Sequence, residues 1–431
     1  MSRFDISTVV KALAKSGALK TVAKKTSAKL HAAKLIAQTE PDPILLKNVQ
    51  GAKVLANILP DRESLARILG VNPKKFLTEL GAVLDGSKKR PGAGIKRRSR
   101  PFGDFAIPLN DHRKLPVLTY YPQDGGPYIT AGVWLYRDPI HGMNLSYHRM
   151  MMSSPAKGTV RVVERRGLDT ALKNSGGELE AAILIGAPAH VLFAASLAPE
   201  PDVYEMDLAA RIGKVELAPC RGLDLEVPAD CQAVIEGRFT TETGPEGPFV
   251  DITETQDPIR TQPVFEITGV WCRKDPIHYT IIPGLSDHKT LMGIPKELDI
   301  YREVSKVCRC LDVRMTPGGS SWLHALVVID KKAPNDGRRA LEAAFRGHKS
   351  LKHCVVVDSD IDIGDPLAVE WALATRFQAD KDMLVQSDVR SSSLDPSARH
   401  EPGKGALGAK LGLDATIPTG GNPKLFKRYA G

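Results

Sequence analysis

A chain of 431 residues with 42% hydrophobic content can bury a large core, and at about 150 residues per domain it is long enough for two or three. No run of about 18 apolar residues offers a membrane span, and the start MSRFDISTVVKALAKSG lacks the apolar stretch of a secretory signal, so a cytoplasmic protein is expected. The formal charge of +9 suits nucleic acid, a membrane surface or an anionic small molecule, but the densest basic run, 88–100, has no aromatic interleaving and argues against nucleic acid. Six cysteines form no CxxC pair and no zinc spacing, and are expected to be reduced and mostly buried.

The first hundred residues read as short helices, such as 9–19 and 62–69, mixed with brief strands and ending in the basic loop. From 116 to about 283 the pattern becomes apolar strands parted by Gly/Pro turns: YITAGVWLYRD, TVRVVERR, AAILIGA, CQAVIEGRFT, PVFEITGVWCRK and HYTIIPG. Two helices interrupt them, near 168–173 and 191–197. The last third alternates helix and strand, with ELDIYREVSKV, LHALVVID, GRRALEAAFRG, HCVVVDSD, PLAVEWALATR and MLVQSD in turn, the rhythm of a largely parallel sheet. The tail after 391 is rich in Gly, Ser and Pro and is expected to be extended. The expected fold is therefore mixed α/β with a small N-terminal mixed domain (1–115), a barrel-like β-rich domain (116–300) and a C-terminal α/β domain (301–431) that is the candidate for oligomerisation.

Several motifs fail on inspection. Asp358, Asp360 and Asp362 resemble a calcium loop, but the glycine is one place late and Val369 stands where the closing glutamate belongs, so a strand end is the better reading. There is no GxGxxG after a strand, no GxxxxGK[ST] and no GxSxG. NLSYHRMMM (144–152) places an amide, a ring nitrogen and a guanidinium within six residues, which can hold an anion. Asn144 and Glu236 are hard oxygen donors of the kind Mg2+ or Mn2+ prefers, though a turn cap and a surface ion pair remain the plain alternative. Arg149 has the planar fork that suits a carboxylate. Asp287, after the turn PGLS, can donate a proton if burial raises its pKa.

Seven ordered blocks carry a resemblance: DGGPYITAGVWLYRDP, NLSYHRMMM, RVVERRG, VIEGRF, EGPFVDITE, PGLSDHKTLMG and KLGLDAT. Together they resemble the UbiD-like decarboxylases, which use prenylated FMN, over nearly the whole chain. The resemblance implies Asn144 and Glu236 as ligands of a divalent metal, Mn2+ or Mg2+, that ties the cofactor phosphate to the protein, with K+ as a further candidate ion. It implies Tyr147, His148, Arg149, Arg161, Val162, Val163, Arg166, Gly167 and Lys410 as cofactor contacts. Arg149 would also hold the substrate carboxylate and Asp287 would protonate the product. Arg165 stands where many relatives have a histidine, and a cation cannot ligate a metal.

The blocks EGPFVDITE, SDHKTLMGIPKE and TRFQADKD look similar to the archaeal branch that decarboxylates anhydromevalonate phosphate. That branch implies a phosphorylated unsaturated acid as substrate, a flavin prenyltransferase as cofactor supplier, and a homo-oligomer. An aromatic acid such as a hydroxybenzoate is the alternative substrate, and a flavin-binding protein without turnover is the alternative class.

Overall fold

The computed structural model describes residues 2–86, 92–109, 115–201, 203–401 and 405–429, so part of the basic run 88–100 lies outside the described residues. The chain forms two compact units: Met1–Asp251 with Gln256–Leu291, and Ile252–Thr255 with Met292–Gly431.

In the first unit a four-stranded sheet runs in the order Lys20–Val22, Ile44–Val49, Ala52–Ala56 and Ile277–Tyr279. The last strand comes from the segment HYTIIPG, which joins this N-terminal sheet and not the barrel, so the two parts share one unit. The helix Arg62–Leu69 falls where its signals put it. Asp61 caps it by accepting from Ser64 N at 2.7 Å, and Gly70 ends it at φ +76, a conformation that a Cβ disfavours.

The barrel follows one hydrogen-bonded path: Tyr128–Ile129, Met150–Ser154, Lys157–Val160, Arg260–Cys272, Ala233–Glu246, Leu179–Ile185, Val133–Asp138 and Gly142–Tyr147. Every pairing in it is antiparallel. Gly142–Tyr147 is last in this path and Met150–Ser154 is second from the other end, yet only His148 and Arg149 separate them in sequence. Three peptide steps span about 11 Å at most, so the sheet must curl until its ends nearly meet. The seam of this open barrel is the dipeptide His148–Arg149. Alternation sends Trp134, Tyr136, Ile183, Ile235, Phe239 and Phe265 into one core, where the Phe239 and Phe265 rings meet edge-on at 5.1 Å.

Two expectations need correction here. Only Lys157–Val160 of the segment around TVRVVERR is strand; Arg161–Arg166 is a loop, with Arg165 at φ +60. A third helix, Glu205–Ile212, interrupts the strands as well.

The second unit holds a sheet ordered Cys310–Met315, His324–Ile329, His353–Asp358, Gly405–Asp414 and Met383–Arg390, with Arg399–Glu401 also paired to Gly405–Asp414. Only the pairings of His353–Asp358 with its two neighbours are parallel. The sheet is mixed because the tail is not merely extended. Gly405–Asp414 inserts between His353–Asp358 and Met383–Arg390, parallel to the first and antiparallel to the second. Asp358 does end its strand, and with Asp360 it pairs with the fully buried Arg376, not with a cation site. All six cysteines are free thiols.

Candidate active site

The strand Gly142–Tyr147 is placed by its pairing with Val133–Asp138, which sets Asn144 against Tyr136, Ser146 against Trp134 and Tyr147 against Val133. Asn144 and Ser146 therefore face the barrel core with Tyr136 and Trp134, and Tyr147 faces the other way. Tyr136 donates its hydroxyl to Asn144 Oδ1 at 2.6 Å. His148, at the seam, lies 3.2 Å from the Arg161 carbonyl through Nδ1 and 2.9 Å from Ser146 Oγ through Nε2. A carbonyl only accepts, so Nδ1 carries the proton and Nε2 accepts from the serine. Burial, reinforced by the nearby Arg161 charge, pulls the His148 pKa down to about 4, so the ring is neutral at physiological pH.

Arg149 is the centre of an ion cluster. Its Nε and Nη2 clasp the two oxygens of Glu246 at 2.8 and 3.0 Å, Nη2 also reaches Asp257 Oδ2 at 2.7 Å, and Nη1 donates to Asp251. The Phe249 ring lies 4.2 Å from its guanidinium carbon. Arg260 holds the other oxygen of Asp257 at 2.7 Å, Arg161 Nε stands 3.8 Å from the same carboxylate, and Tyr128 donates to Glu246 at 3.2 Å. Burial would lower the Arg149 pKa, but the Glu246 hydrogen bonds and the surrounding carboxylates raise it, so the side chain is a permanent cation. Four of the five guanidinium N–H groups are already on carboxylates. An incoming carboxylate finds one free N–H unless Asp251 yields its place.

Asn144 and Glu236 are not brought together. The register joins Glu236 to Ala182, Ala182 to Leu135 and Leu135 to Leu145, so its side chain leaves the sheet on the face opposite Asn144. Its carboxylate accepts from Arg221 N and Gly222 N, both at 2.8 Å, and so anchors a turn. The acid beside Asn144 is Glu205, the first residue of the helix Glu205–Ile212. Its Oε2 accepts from Leu145 N at 2.9 Å, and its Oε1 lies 3.5 Å from Asn144 Nδ2. Glu205 is buried, and that burial raises its pKa to about 7. No Lys or Arg pairs with it among the described residues. A buried carboxylate without a counter-charge, next to an amide, is a donor set that a hard divalent cation fits.

The loop Arg161–Arg166 returns the chain to this place. Val162 N donates to Gln262 Oε1 at 2.6 Å, Arg161 Nη1 donates to the Val162 carbonyl, and Val163 is exposed. Arg165 is exposed and its N–H donates to Asp169. Arg166 precedes the helix Gly167–Asn174 and its side chain does not cap the first N–H groups. A Cβ on Gly167 would stand 3.1 Å from Tyr136 Oη and 3.3 Å from Asn144 Nδ2, so glycine keeps this corner open. An uncapped helix start beside a candidate cation site suits a phosphate. The residues present thus fit a flavin phosphate and a bridging metal.

Asp287 is buried in the same unit. It accepts from Ile58 N at 3.1 Å, Leu59 N at 2.8 Å and Tyr279 Oη at 2.7 Å. Desolvation outweighs these three bonds and raises its pKa to about 6, with Glu40 adding to the rise. Lys410 belongs to the other unit, where its ammonium donates to the carbonyls of Lys349 and Leu351 at 2.7 and 2.6 Å; burial lowers its pKa to about 8.

Three family models match the chain: the 3-octaprenyl-4-hydroxybenzoate carboxy-lyase N-terminal domain over 10–84, its Rift-related domain over 106–286 and its C-terminal domain over 289–415. Among curated proteins, anhydromevalonate phosphate decarboxylase of Methanocaldococcus jannaschii is 37% identical over 91% of this chain and 93% of its own. The protein of the same name from Archaeoglobus fulgidus is 39% identical over 88% and 86%. The UbiD-class enzyme HmfF from Pelotomaculum thermopropionicum, solved with FMN, superposes with a TM-score of 0.92 at 32% identity, covering 99% of this chain and 97% of that one. An evolved dimeric form of it was solved with prenylated FMN, at a TM-score of 0.89 and 31% identity over 99% and 97%.

Proposed function

The chain belongs to the UbiD family of carboxy-lyases, and from that membership we propose that it decarboxylates trans-anhydromevalonate 5-phosphate to isopentenyl phosphate and CO2, using prenylated FMN. The observation that carries the substrate is that five curated relatives of this one name are 36–39% identical over 88–95% of the chain. Solved decarboxylases of aromatic acids are only 20–22% identical and support the fold alone.

Prenylated FMN, when bound, supplies the electron sink for the pair left behind as CO2 departs. Asn144 and Glu205, in place of the expected Glu236, would hold Mn2+ or Mg2+, with the start of the helix Gly167–Asn174 facing the phosphate. Neutral His148 would stay fixed in one tautomer by Ser146 and Arg161. Arg149 would orient the substrate carboxylate within an array of acids that balances its charge. Asp287 would hold the proton that replaces CO2. A flavin prenyltransferase as cofactor supplier, a K+ ion, association into a homo-oligomer and a cytoplasmic location accompany this reading.

The test is a substrate panel on protein co-produced with a flavin prenyltransferase. Flavin absorbance and CO2 release from the phosphorylated acid are expected, with its dephosphorylated form turned over poorly. Turnover of hydroxybenzoates without turnover of the phosphorylated acid would overturn the substrate. The Asp287 role predicts a pH profile. The acid form is the donor and its pKa is raised to about 6, so kcat is expected to be maximal below that value and to fall as pH rises through it. Asp287→Asn is expected to lower kcat by about 10²–10⁴-fold while flavin stays bound. Wild-type turnover in that variant would remove Asp287 from the reaction.

A further inference from the structure

Asn57 follows the strand Ala52–Ala56 with its backbone at φ +59, in the left-handed region, and the residue is buried. Asparagine is among the few L-residues that enter that region at little cost. Its Nδ2 donates to two carbonyls, Ile36 at 3.2 Å and Asp42 at 3.3 Å, which pins the turn to the helix His31–Thr39 and to the segment leaving it. The next two amides, Ile58 N and Leu59 N, donate to Oδ2 and Oδ1 of Asp287 at 3.1 and 2.8 Å. In an extended strand successive N–H groups point to opposite sides, so they cannot grip one carboxylate. The left-handed residue turns both to one side, as in the backbone concavities that hold anions.

The third donor comes from the neighbouring strand. Ile277–Tyr279 pairs in parallel with Ala52–Ala56, with Tyr279 in register with Leu55, and Thr280 N continues the ladder onto the Leu55 carbonyl at 2.9 Å. From that place Tyr279 Oη donates to Asp287 Oδ2 at 2.7 Å. Glu40, just past the helix His31–Thr39, accepts from Ser286 N, so the segment that holds Asn57 also holds the residue before Asp287. A carboxylate offers about two acceptor sites on each oxygen. Ile58 N and Tyr279 Oη fill those on Oδ2, and Leu59 N fills one on Oδ1. The open site is on Oδ1, and a proton carried by Asp287 belongs there.

We propose that Asn57 is the positioning residue of Asp287: its left-handed turn and its clamp on Ile36 and Asp42 aim the Ile58 and Leu59 amides at the carboxylate, fix its orientation and leave one site on Oδ1 for the proton. The inference rests on Asp287 as the proton donor of the proposed decarboxylation. Each amide favours the ionised carboxylate, so the turn opposes the desolvation that raises the Asp287 pKa. Glu40 adds to that rise. The other ionisable groups around Asp287 are the Tyr279 and Tyr147 phenols, kept neutral by burial, and His288, which accepts from Gly284 N at 3.1 Å and whose pKa burial lowers. Loosening the two amides therefore moves the loss of the proton to higher pH.

The test follows Asp287 by infrared difference spectroscopy and by rate, on protein loaded with prenylated FMN. The carboxylic acid C=O band of Asp287 is assigned by its absence in Asp287→Asn, and kcat is measured against pH on an unsaturated acid that the wild type turns over. Asn57→Gly permits the turn but lacks the clamp, and Asn57→Ala lacks the clamp and disfavours the turn. The loss of the band and the fall in kcat are expected to move together to higher pH, by about half a unit in Asn57→Gly and about one unit in Asn57→Ala. Tyr279→Phe, which removes a donor without touching the turn, gives the scale with a shift of about one unit. At low pH, where Asp287 is fully protonated, kcat of Asn57→Ala is expected to be lower by about 10-fold, because the donor is no longer held in one orientation. Lowered stability or kcat in the Asn57 variants with the band lost at the wild-type pH overturns the proposal, and so does a shift to lower pH. Should Asn57→Ala not fold, Asn57→Gly decides by the same criterion. If the band moves in the Asn57 variants but kcat of the wild type shows no fall with pH, the donor reading of Asp287 fails while its positioning by Asn57 stands.

Discussion

Arg149→Ala is expected to leave no measurable turnover and to weaken the fold in the same step. Its guanidinium stands among Glu246, Asp251 and Asp257, two of them almost wholly enclosed. Arg260 and the more distant Arg161 reach only Asp257. Removing Arg149 strands Glu246 in particular, with a tyrosine hydroxyl as its remaining donor. Breaking a buried pair from one side costs about 3–5 kcal/mol, because the abandoned charge has neither water nor partner. A denaturant midpoint measured on the flavin-free protein reads this loss apart from catalysis. Arg149→Lys separates charge from shape. It keeps a cation but cannot clasp both oxygens of Glu246 and also reach two further acids, so kcat/KM is expected to fall by about 10²-fold or more while much of the stability returns. Near-wild-type kcat/KM in the lysine variant would show that the planar fork is not what the reaction uses.

The arrangement around Arg149 explains what sequence could and could not reveal. The continuous apolar runs in YITAGVWLYRD and AAILIGA, bounded by turn residues, made the barrel strands readable, because these strands are buried on both faces. The turn EGPFVDITE was visibly rich in carboxylates. Nothing in it says that Glu246 and Asp251 close on an arginine about a hundred positions earlier, since that contact depends on how the barrel curls at His148–Arg149. Pairing Asn144 with Glu236 failed for a related reason. Asn144 stands in register with Tyr136 and Ala181, and Glu236 is one residue out of that register, which in a strand means the opposite face. Parity across three strand pairings is a property of register, not of composition. Glu205 was more accessible. Its helix is only eight residues long, but Glu205 and Asp207 open it, Arg211 closes it and Gly213 follows, the charge order of a helix with its ends marked. KLGLDAT went astray through its neighbours, because Gly and Ser around it suggested an extended tail where the chain in fact supplies an interior strand.

That same register makes Glu205 and Glu236 a matched pair for locating the metal. Glu205→Gln is expected to lower affinity for Mn2+ or Mg2+ by at least about 10²-fold in calorimetric titration, since it removes the one charged donor beside Asn144. Glu236→Gln is expected to leave metal affinity unchanged. It would instead lower stability by about 1–3 kcal/mol, because its new NH2 must face either Arg221 N or Gly222 N and leave that amide without an acceptor. Proton linkage gives a second readout. The folded pKa of Glu205, about 7, lies above its ordinary value, so its contribution to apo stability is full at low pH and is lost as pH rises through about 7, on the order of 3 kcal/mol in all. A divalent cation replaces the missing counter-charge. Metal is therefore expected to raise the melting temperature most above pH 7 and to bind more weakly as pH falls below it, releasing a proton as it does so. If Glu236→Gln lost the metal and Glu205→Gln kept it, the ion would lie on the other face of the sheet, away from Asn144 and from the open start of the helix Gly167–Asn174.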